Sequence, residues 1–547
     1  MALTVAIALT LVRVWLVAAQ QVDALGVNVH DDALYTRLAN EILHGRWLGD
    51  YDRLTLAKGP FYPMWIAASF KMGLPLLLSQ QLLYVAACAL LAGLALRPTV
   101  RPSGRLVLYL VLLFNPVAYS AGPAGADTRV IREGIYPALS LLVAASLCGL
   151  VSRWKRTPLP WGWALALGAS AVAFWTTREE GPWIAPAALL LVALAAYRDR
   201  ATLKWWRVGA LLGASGALAL ACWGTLATVN WRHYRRFTVV EFRDRPFPAA
   251  YGALCRIEHA PAPAWIHVPR EARERAYAVS PAFARLRPAL EGNIGKGWIE
   301  LACRVWNICD DIPAGFLMWA IRDAVQGQGI HDAAAAAAYY EQVAAEINAA
   351  CADGRLKCTA PRVSMMPPWR AAFVVPALRE TWRALWYVAR FKDVTPFSSV
   401  RSGSPEALAM FARLTRGRLF GDPPAAGVRD RSWAVSKRLA VLQALARLYG
   451  VLAPALLVLS ACTSAFLLAL ALRRRECPSP LWAIAGMAGL ALVARVLVVG
   501  LVEATSFTAV HNVYLSAAHP FMLVFIWASA GAALARSGGT PAPRCAS

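Results

Sequence analysis

The sequence predicts an all-α polytopic membrane protein with about ten transmembrane helices and a large, mainly helical external segment. Hydrophobic residues make up 58% of the 547 residues, and the mean hydropathy is +0.46. Only 16% of the residues are charged, whereas a soluble protein of this size carries about 25%. Several runs of roughly 20 mostly apolar residues match the thickness of a bilayer's hydrocarbon core.

Ten apolar segments are the predicted spans, with boundaries loose by several residues. They are 2–19, 77–96, 106–121, 133–151, 160–176, 182–197, 208–229, 449–472, 480–502 and 513–535. The first segment has no basic region before it, contains Arg13 and lacks a convincing cleavage site. It therefore predicts an uncleaved first helix rather than a signal peptide.

The tract 59–75 decides the topology. If it spans the membrane, the basic segment 97–105 becomes external; if it lies on the surface, that segment is cytoplasmic with the basic loops 152–158, 198–207 and 473–475. The second option satisfies the positive-inside rule, and the tract is short and contains three prolines and Lys71. We therefore expect both termini in the cytoplasm.

This topology divides the chain into three parts. Residues 1–229 are a transmembrane core whose first outer loop is 20–76, residues 230–447 are external, and residues 448–547 hold the last helices and a short cytoplasmic tail. The net charge of +24 is explained by the positive-inside rule and by contact with anionic membrane lipids. It does not indicate a nucleic-acid partner.

The external segment predicts helices and loops. Residues 332–351 are strong helix formers, and Asp332 is placed to cap them. Residues 369–392 predict two amphipathic helices, broken near Pro376, that rest on the bilayer. Residues 393–435, rich in Pro, Gly, Ser and Arg, predict a loop.

Five of the 11 cysteines lie in the external segment, where the compartment permits disulfides. Cys351 and Cys358 flank a natural turn, ADGRLK, which favours a bond between them. The alternative is that these thiols are buried and reduced. Because five is odd, one thiol should be free.

Two adjacent aspartates, Asp31 and Asp32, open a predicted helix whose apolar stripe is Leu34, Leu38 and Ile42. One aspartate is enough to cap a helix, a contribution of about 1 kcal/mol. Two adjacent carboxylates repel each other unless a cation or proton donor stands between one of them and a partner. The pair therefore suggests a helix cap, a site, or one aspartate in each role.

Further ionisable groups map to the same side of the membrane. Lys58 precedes an amphipathic helix, where it either meets a lipid phosphate or extends to the interface as lysines ordinarily do. The other groups lie at the outer ends of predicted spans, where ionisable residues are costly and default to functional candidates. They are Asp127, Arg129, Arg132, Glu133, Arg178, Glu179, Glu180, His511, Tyr514 and His519.

These motifs resemble the C-type integral-membrane glycosyltransferases that use polyprenyl-phosphate sugars, the group of the protein O-mannosyltransferases and the lipid A aminoarabinose transferase. That family begins its first outer loop with D-E-x-x-Y, which Asp31 to Tyr35 match with Asp32 in place of glutamate. Its K-P-P-x-x-x-W is matched loosely by Lys58-Gly59-Pro60 and Trp65. The acidic start of its fourth span corresponds to Arg132-Glu133-Gly134-Ile135-Tyr136.

Two more motifs lie towards the ends of later spans. The family's short R-x-E-like turn corresponds to Arg178–Glu180, and its R-Y-L-x-P is reduced here to Asn512-Val513-Tyr514-Leu515, without the arginine. The resemblance covers residues 1–200 and leaves 230–447 unassigned.

The resemblance implies an inverting transferase of a bacterial inner (plasma) membrane, with 230–447 periplasmic or extracellular. It implies Asp31 as general base and a polyprenyl-phosphate sugar as donor, with the acceptor unspecified. Binding of substrate is then expected of Asp32, Tyr35, Lys58, Asp127, Arg129, Arg132, Glu133, Arg178, Glu179, Tyr514 and His519. A divalent cation, Mg²⁺ or Mn²⁺, would be held by Asp127 and Glu133.

Two other classes compete with the transferase. A transporter or flippase of a lipid-linked or phosphorylated substrate places its charges near the membrane midplane and often has internal repeats; here the charges are at the outer ends, and no repeat is found. A scaffold that binds through 230–447 predicts that the outer-loop acids can be neutralised without effect.

Overall fold

The computed structural model describes residues 2–422, 432–474 and 476–537, and these residues are mainly helical, with almost no strand. The first nine helices include a π-helical turn, Leu90–Ala95, that continues α4, and a 3₁₀ turn, Gly181–Ile184, that leads into α8. The helices are α1 (Ala2–Val17), α2 (Asp32–Leu43), α3 (Phe61–Lys71), α4 (Leu76–Ala89), α5 (Pro102–Leu113), α6 (Tyr136–Val151), α7 (Trp161–Thr177), α8 (Ala185–Asp199) and α9 (Trp205–Tyr234).

Before α19, the described part of the external segment contains nine α-helices, of which α16 begins as predicted, because Asp332 accepts a hydrogen bond from the Ala335 amide at 2.8 Å. They are α10 (Pro246–Cys255), α11 (Arg270–Val279), α12 (Pro281–Ala284), α13 (Arg287–Leu290), α14 (Asn293–Trp306), α15 (Ala314–Gln326), α16 (Ala333–Ala352), α17 (Val374–Ala389) and α18 (Pro405–Thr415). The last helices are α19 (Ser432–Arg474), α20 (Pro480–Thr505), α21 (Asn512–Leu515) and α22 (Ala518–Ser537).

Among the described residues, six helical stretches of at least 18 residues are apolar enough to cross a membrane. They are Leu76–Ala95, Gly181–Asp199, Trp205–Tyr234, Trp433–Arg474, Pro480–Thr505 and Ala518–Ser537. Three shorter apolar helices, Leu3–Val17, Pro102–Leu113 and Tyr136–Val151, accompany them. The chain is an all-α polytopic membrane protein, as the sequence predicts.

Two predicted boundaries were wrong. The third segment, predicted as 106–121, is helical over Pro102–Leu113 and then a separate 3₁₀ turn, Pro116–Tyr119. Pro116 interrupts it, because proline has no amide hydrogen and disfavours α conformation in the residue before it. The fourth helix begins at Tyr136, after a 3₁₀ turn at Arg132–Gly134.

The tract 59–75 contains only α3, whose 11 residues rise about 16 Å, too little to cross a hydrocarbon core of about 30 Å. The prediction that this tract does not span is therefore supported by its length.

The region after α16 corrects two further predictions. The helix is not broken at Pro376, which lies in the first turn of the continuous α17, where a missing amide hydrogen costs no helical bond. The stretch predicted as loop, 393–435, contains α18 and a short strand, Arg401–Ser402 (β2), that pairs in parallel with Ala24–Leu25 (β1); its residues 423–431 lie outside the described part. Helix α17 packs along α20, where a Cβ on Gly500 would meet the Thr381 amide nitrogen at 2.5 Å.

Two hydrophobic cores meet at α2. The larger core contains the apolar helices, with Tyr35 and Ala39 from one face of α2. The second core belongs to the external segment and takes Leu34 and Leu38 from an adjacent face, with Ile42 packed against it. The residues that begin α2 therefore lie at the junction between the apolar helices and the external segment.

The external segment holds two disulfides. The bond between Cys351 and Cys358, which the sequence favours, is formed with Cα atoms 5.7 Å apart, and a second joins Cys303 to Cys309. Cys255 is the free, buried thiol of this segment.

Candidate active site

Asp31 occupies the N-cap position of α2, yet its side chain makes no capping hydrogen bond. Its carboxylate instead accepts a hydrogen bond from the Lys58 ammonium group, to which it is ion-paired. The expectation that one of the two aspartates caps the helix was wrong for Asp31. Its side chain is used for a tertiary ion pair.

The Asp31 side chain is 43% exposed, while that of Lys58 is 10% exposed. Enclosure by protein opposes ionisation of Asp31, but the charge and hydrogen bond of Lys58 outweigh it and hold the pKa of Asp31 below its ordinary value. Asp31 is therefore an ionised and accessible carboxylate at neutral pH.

Asp32 is fully buried and is bound by the Arg129 guanidinium through two hydrogen bonds, of 3.1 and 2.6 Å. Asn28 donates a third hydrogen bond to it, at 3.1 Å. Burial raises the pKa of Asp32, and Arg129 works against that rise. The bidentate pair ties the start of α2 to the loop that precedes α6.

A second group of ion pairs joins this loop to the turn between α7 and α8. Arg132 binds Glu179 at 2.8 Å, and Arg178 pairs with both Glu133 and Glu180. Arg178 also lies with its guanidinium carbon 5.0 Å from the ring centre of Tyr514. Predicted site residues from three separate loops thus lie together.

Arg495 of α20 belongs to this group and was missed from the sequence. Its guanidinium is 3.4 Å from Glu180, and it donates a 2.8 Å hydrogen bond to the Tyr514 carbonyl oxygen. The sequence does contain a signal for Arg495, because an arginine within an apolar span is a functional candidate by default.

Gly59, where the resemblance has a proline, is explained by packing. Its amide donates a 3.0 Å hydrogen bond to Glu179, and a Cβ at this position would overlap the carbonyl oxygen of Thr176. Proline could neither donate this bond nor fit. The glycine lets the Lys58 loop lie directly against the end of α7.

The predicted cation ligands, Asp127 and Glu133, each have a partner within the protein. Asp127 accepts a 2.7 Å hydrogen bond from Gln81, and burial raises its pKa to about 7. Glu133 is paired with Arg178. Over the described residues, no group of three or more His, Cys, Asp or Glu side chains could hold a metal ion. Ligation of a divalent cation by Asp127 and Glu133 stays a prediction.

Two other predicted residues are packed rather than open. Tyr35 is fully buried, with its ring edge against Tyr62 and the Lys58 ammonium 5.5 Å from its centre. His519 is also fully buried, and its ring contacts that of Phe391 in a tilted arrangement, with ring centres 4.8 Å apart. The structure places Tyr35 beneath the site and gives His519 no ion pair within it.

Five carboxylates and five cations therefore make up the site, and every cation has a carboxylate partner. The cations are nearly buried, and the most accessible charged group is Asp31. The balanced charge lets many ionisable groups share one location, and it leaves one open anion next to a lysine.

Neither family models nor curated proteins match the sequence. Two solved structures are similar, both of ArnT from Cupriavidus metallidurans. The one bound to undecaprenyl phosphate is 15% identical with a TM-score of 0.30, and the match covers 98% of this chain and 79% of that one. The apo structure is 13% identical with a TM-score of 0.30, and the match covers 96% of this chain and 76% of that one.

At this TM-score the folds superpose only loosely, and no residue role is carried over from them. The interpretation of the site rests on its own geometry.

Proposed function

We propose that this protein is a membrane glycosyltransferase that moves a sugar from a polyprenyl-phosphate donor to an acceptor on the outer face of the inner membrane. The observation that carries the proposal is Asp31, an open, ionised carboxylate surrounded by ion-paired cations at one end of the apolar helices. A lipid-linked sugar presents its reacting carbon at this level of a membrane.

In the proposed reaction, the acceptor hydroxyl gives its proton to Asp31 while its oxygen attacks the anomeric carbon. The bond between that carbon and the phosphate oxygen breaks, and the polyprenyl phosphate leaves as an anion. The resemblance implies inversion at the anomeric carbon. Fixed positive charge next to a departing phosphate stabilises the transition state.

The lipid phosphate would enter at Lys58, because its partner Asp31 is the most accessible carboxylate of the site. Exchange of this partner for phosphate would place the cation on the leaving group and free Asp31 for the acceptor. Arg132 and Arg178 have carboxylate partners that are less accessible than Asp31. They would stay paired and add positive charge near the departing phosphate. No step in this scheme requires a metal ion.

Two observations support the outer-face orientation. The loops at the other ends of the apolar helices carry the basic segments 97–105, 152–158 and 198–207, which favours a cytoplasmic side facing anionic lipids. The external segment contains disulfides, which persist in oxidising compartments.

The test replaces Asp31 with asparagine in cells and measures surface glycans and lipids by mass spectrometry. We expect loss of the product in Asp31→Asn at normal expression, and no loss in Asp310→Asn, an exposed aspartate of the external segment. Full activity of Asp31→Asn would remove Asp31 from catalysis. Movement of a substrate across proteoliposomes without covalent transfer would favour the transporter instead.

A further inference from the structure

A continuous series of aromatic rings runs from Asp31 to Arg178 through the external segment. We call it the aromatic arc, and its members in order are His30, Trp298, Phe316, Trp306, Phe507 and Tyr514. Successive ring centres are 5.0, 5.0, 4.2, 6.1 and 5.5 Å apart. The spacing is that of rings in direct contact.

The two ends of the arc meet the ionic site. His30 is the neighbour of Asp31 in the chain and also contacts Trp319, whose ring centre is 5.9 Å from the Lys58 ammonium. At the other end, Tyr514 lies under Arg178. Burial and then the charge of Asp31 raise the pKa of the Tyr514 phenol, as expected if both ends of the arc face one space.

The external segment builds the middle of the arc from α14 and α15. Gly315 permits the close stacking, because a Cβ there would lie 3.0 Å from Phe507 and 3.1 Å from Trp306. Trp298 is nearly buried and supports the arc, whereas His30, Trp306, Phe316 and Phe507 keep part of their surface exposed. Burial and the Lys58 charge lower the pKa of His30 to about 4, so its ring is neutral at pH 7.

We propose that the aromatic arc binds the ring of a pyranose by stacking, beside the charged groups that act on it. This inference rests on the proposed function and assigns the external segment its part in the same site. A pyranose has an apolar face of C–H groups and an edge of hydroxyls, which suits partly exposed aromatic rings next to carboxylates and cations.

The arc could serve the acceptor sugar or the donor sugar, and its geometry favours the acceptor at the His30 end. That end adjoins Asp31, the proposed acceptor of the hydroxyl proton. The Tyr514 end adjoins the paired arginines, which suit the phosphate side of the donor.

The test is saturation-transfer-difference NMR on the full chain in detergent, with a panel of methyl pyranosides as probes. We expect at least one pyranoside to receive saturation, strongest at the C–H protons of one ring face. In Trp306→Ala the saturation should fall about fivefold, the loss expected when one aromatic stacking partner is removed. Trp306→Tyr should retain most of it, because it keeps a ring.

The matched control is Trp382→Ala, since Trp382 is 59% exposed on α17 and outside the arc. It should bind as the unmodified protein does. No binding of any pyranoside to the unmodified protein, or equal binding by Trp306→Ala when that variant elutes as a folded monodisperse species, would overturn the proposal.

Two further measurements separate the donor sugar from the acceptor sugar, and the aromatic arc from the proposed transferase function. Pyranosyl 1-phosphates that bind more tightly than the methyl glycosides, with Trp306-dependent saturation, would assign the arc to the donor; equal binding would assign it to the acceptor. Asp31→Asn should keep pyranoside binding. A protein that binds pyranosides but transfers no sugar would contradict the proposed function and leave the arc intact.

Discussion

The neighbours Asp31 and Asp32 should respond in opposite ways when each is changed to asparagine. Asp32 is fully buried and holds Arg129 through two hydrogen bonds. Asp31 is 43% exposed and pairs with Lys58. We expect Asp32→Asn to lose stability and Asp31→Asn to lose sugar transfer while remaining folded.

The magnitudes follow from burial. Asp32→Asn leaves the Arg129 guanidinium, itself 9% exposed, without its buried counter-charge, which costs about 3–5 kcal/mol. Asp31→Asn removes a partly exposed partner from the nearly buried Lys58, so its loss lies between the about 0–1 kcal/mol of an exposed ion pair and the about 3–5 kcal/mol of a buried one. Asp32→Asn should therefore lower the free energy of unfolding more than Asp31→Asn does.

The assay compares midpoints of thermal unfolding in detergent for the two variants, next to glycan transfer in cells. A third variant, Arg129→Gln, and its combination with Asp32→Asn complete a double-mutant cycle. The combined loss should be smaller than the sum of the single losses, since each single change leaves the partner unpaired. Equal destabilisation by Asp31→Asn and Asp32→Asn would refute the division of roles.

Three other changes test separate parts of the structure. Gly59→Ala should lower the thermal midpoint by an amount equivalent to about 1–3 kcal/mol or more, because the new Cβ meets a backbone carbonyl. The control is Gly224→Ala, whose Cβ meets no atom within 4 Å and which should leave the midpoint unchanged. Equal effects of the two changes would contradict the packing at Gly59. Asp127 has its pKa raised to about 7, so its contribution to stability is complete below its unfolded pKa and lost as the pH rises through about 7. Asp127→Asn should therefore be more stable than the unmodified protein at about pH 8, by an amount that shrinks as the pH falls towards about 4, and identical profiles would argue against the raised pKa. Peptide mapping of protein from cells should find Cys351 linked to Cys358, and replacing both with serine should cost about 2–3 kcal/mol; fully reduced thiols would contradict the external location.

Much of the helical architecture could be predicted because it depends on local patterns. Runs of apolar residues gave the apolar helices, and Asp332 followed by alanines gave the start of α16. Two errors arose at prolines, whose effect depends on their position in the helix. Pro116 divided a predicted span, whereas Pro376 in a first turn did not break α17.

The sequence predicted which side of the membrane holds the candidate residues, but not which ion pairs they form. Topology alone placed Asp31, Lys58 and Arg178 on one side, since each follows or precedes a predicted span. Which cation binds which carboxylate depends on distances across the fold, which spacing along the chain does not encode. The aromatic arc was invisible for the same reason: Trp306 and Phe507 are separated by some 200 residues and meet only when the external segment packs on the end of α20.

The different roles of Asp31 and Asp32 follow from the geometry of a helix start. Successive side chains on a helix point about 100° apart, so two neighbours cannot share one environment. Because α2 is packed between two cores, one direction leads into protein and another into the accessible space beside Lys58. Asp32 takes the first direction and binds Arg129, which fixes the helix; Asp31 takes the second and stays open. An ordinary cap would use a carboxylate to satisfy backbone amides, and this helix start instead uses both carboxylates for tertiary ion pairs. The anchored carboxylate therefore holds its neighbour in position, and a single Asp at either place could not do both.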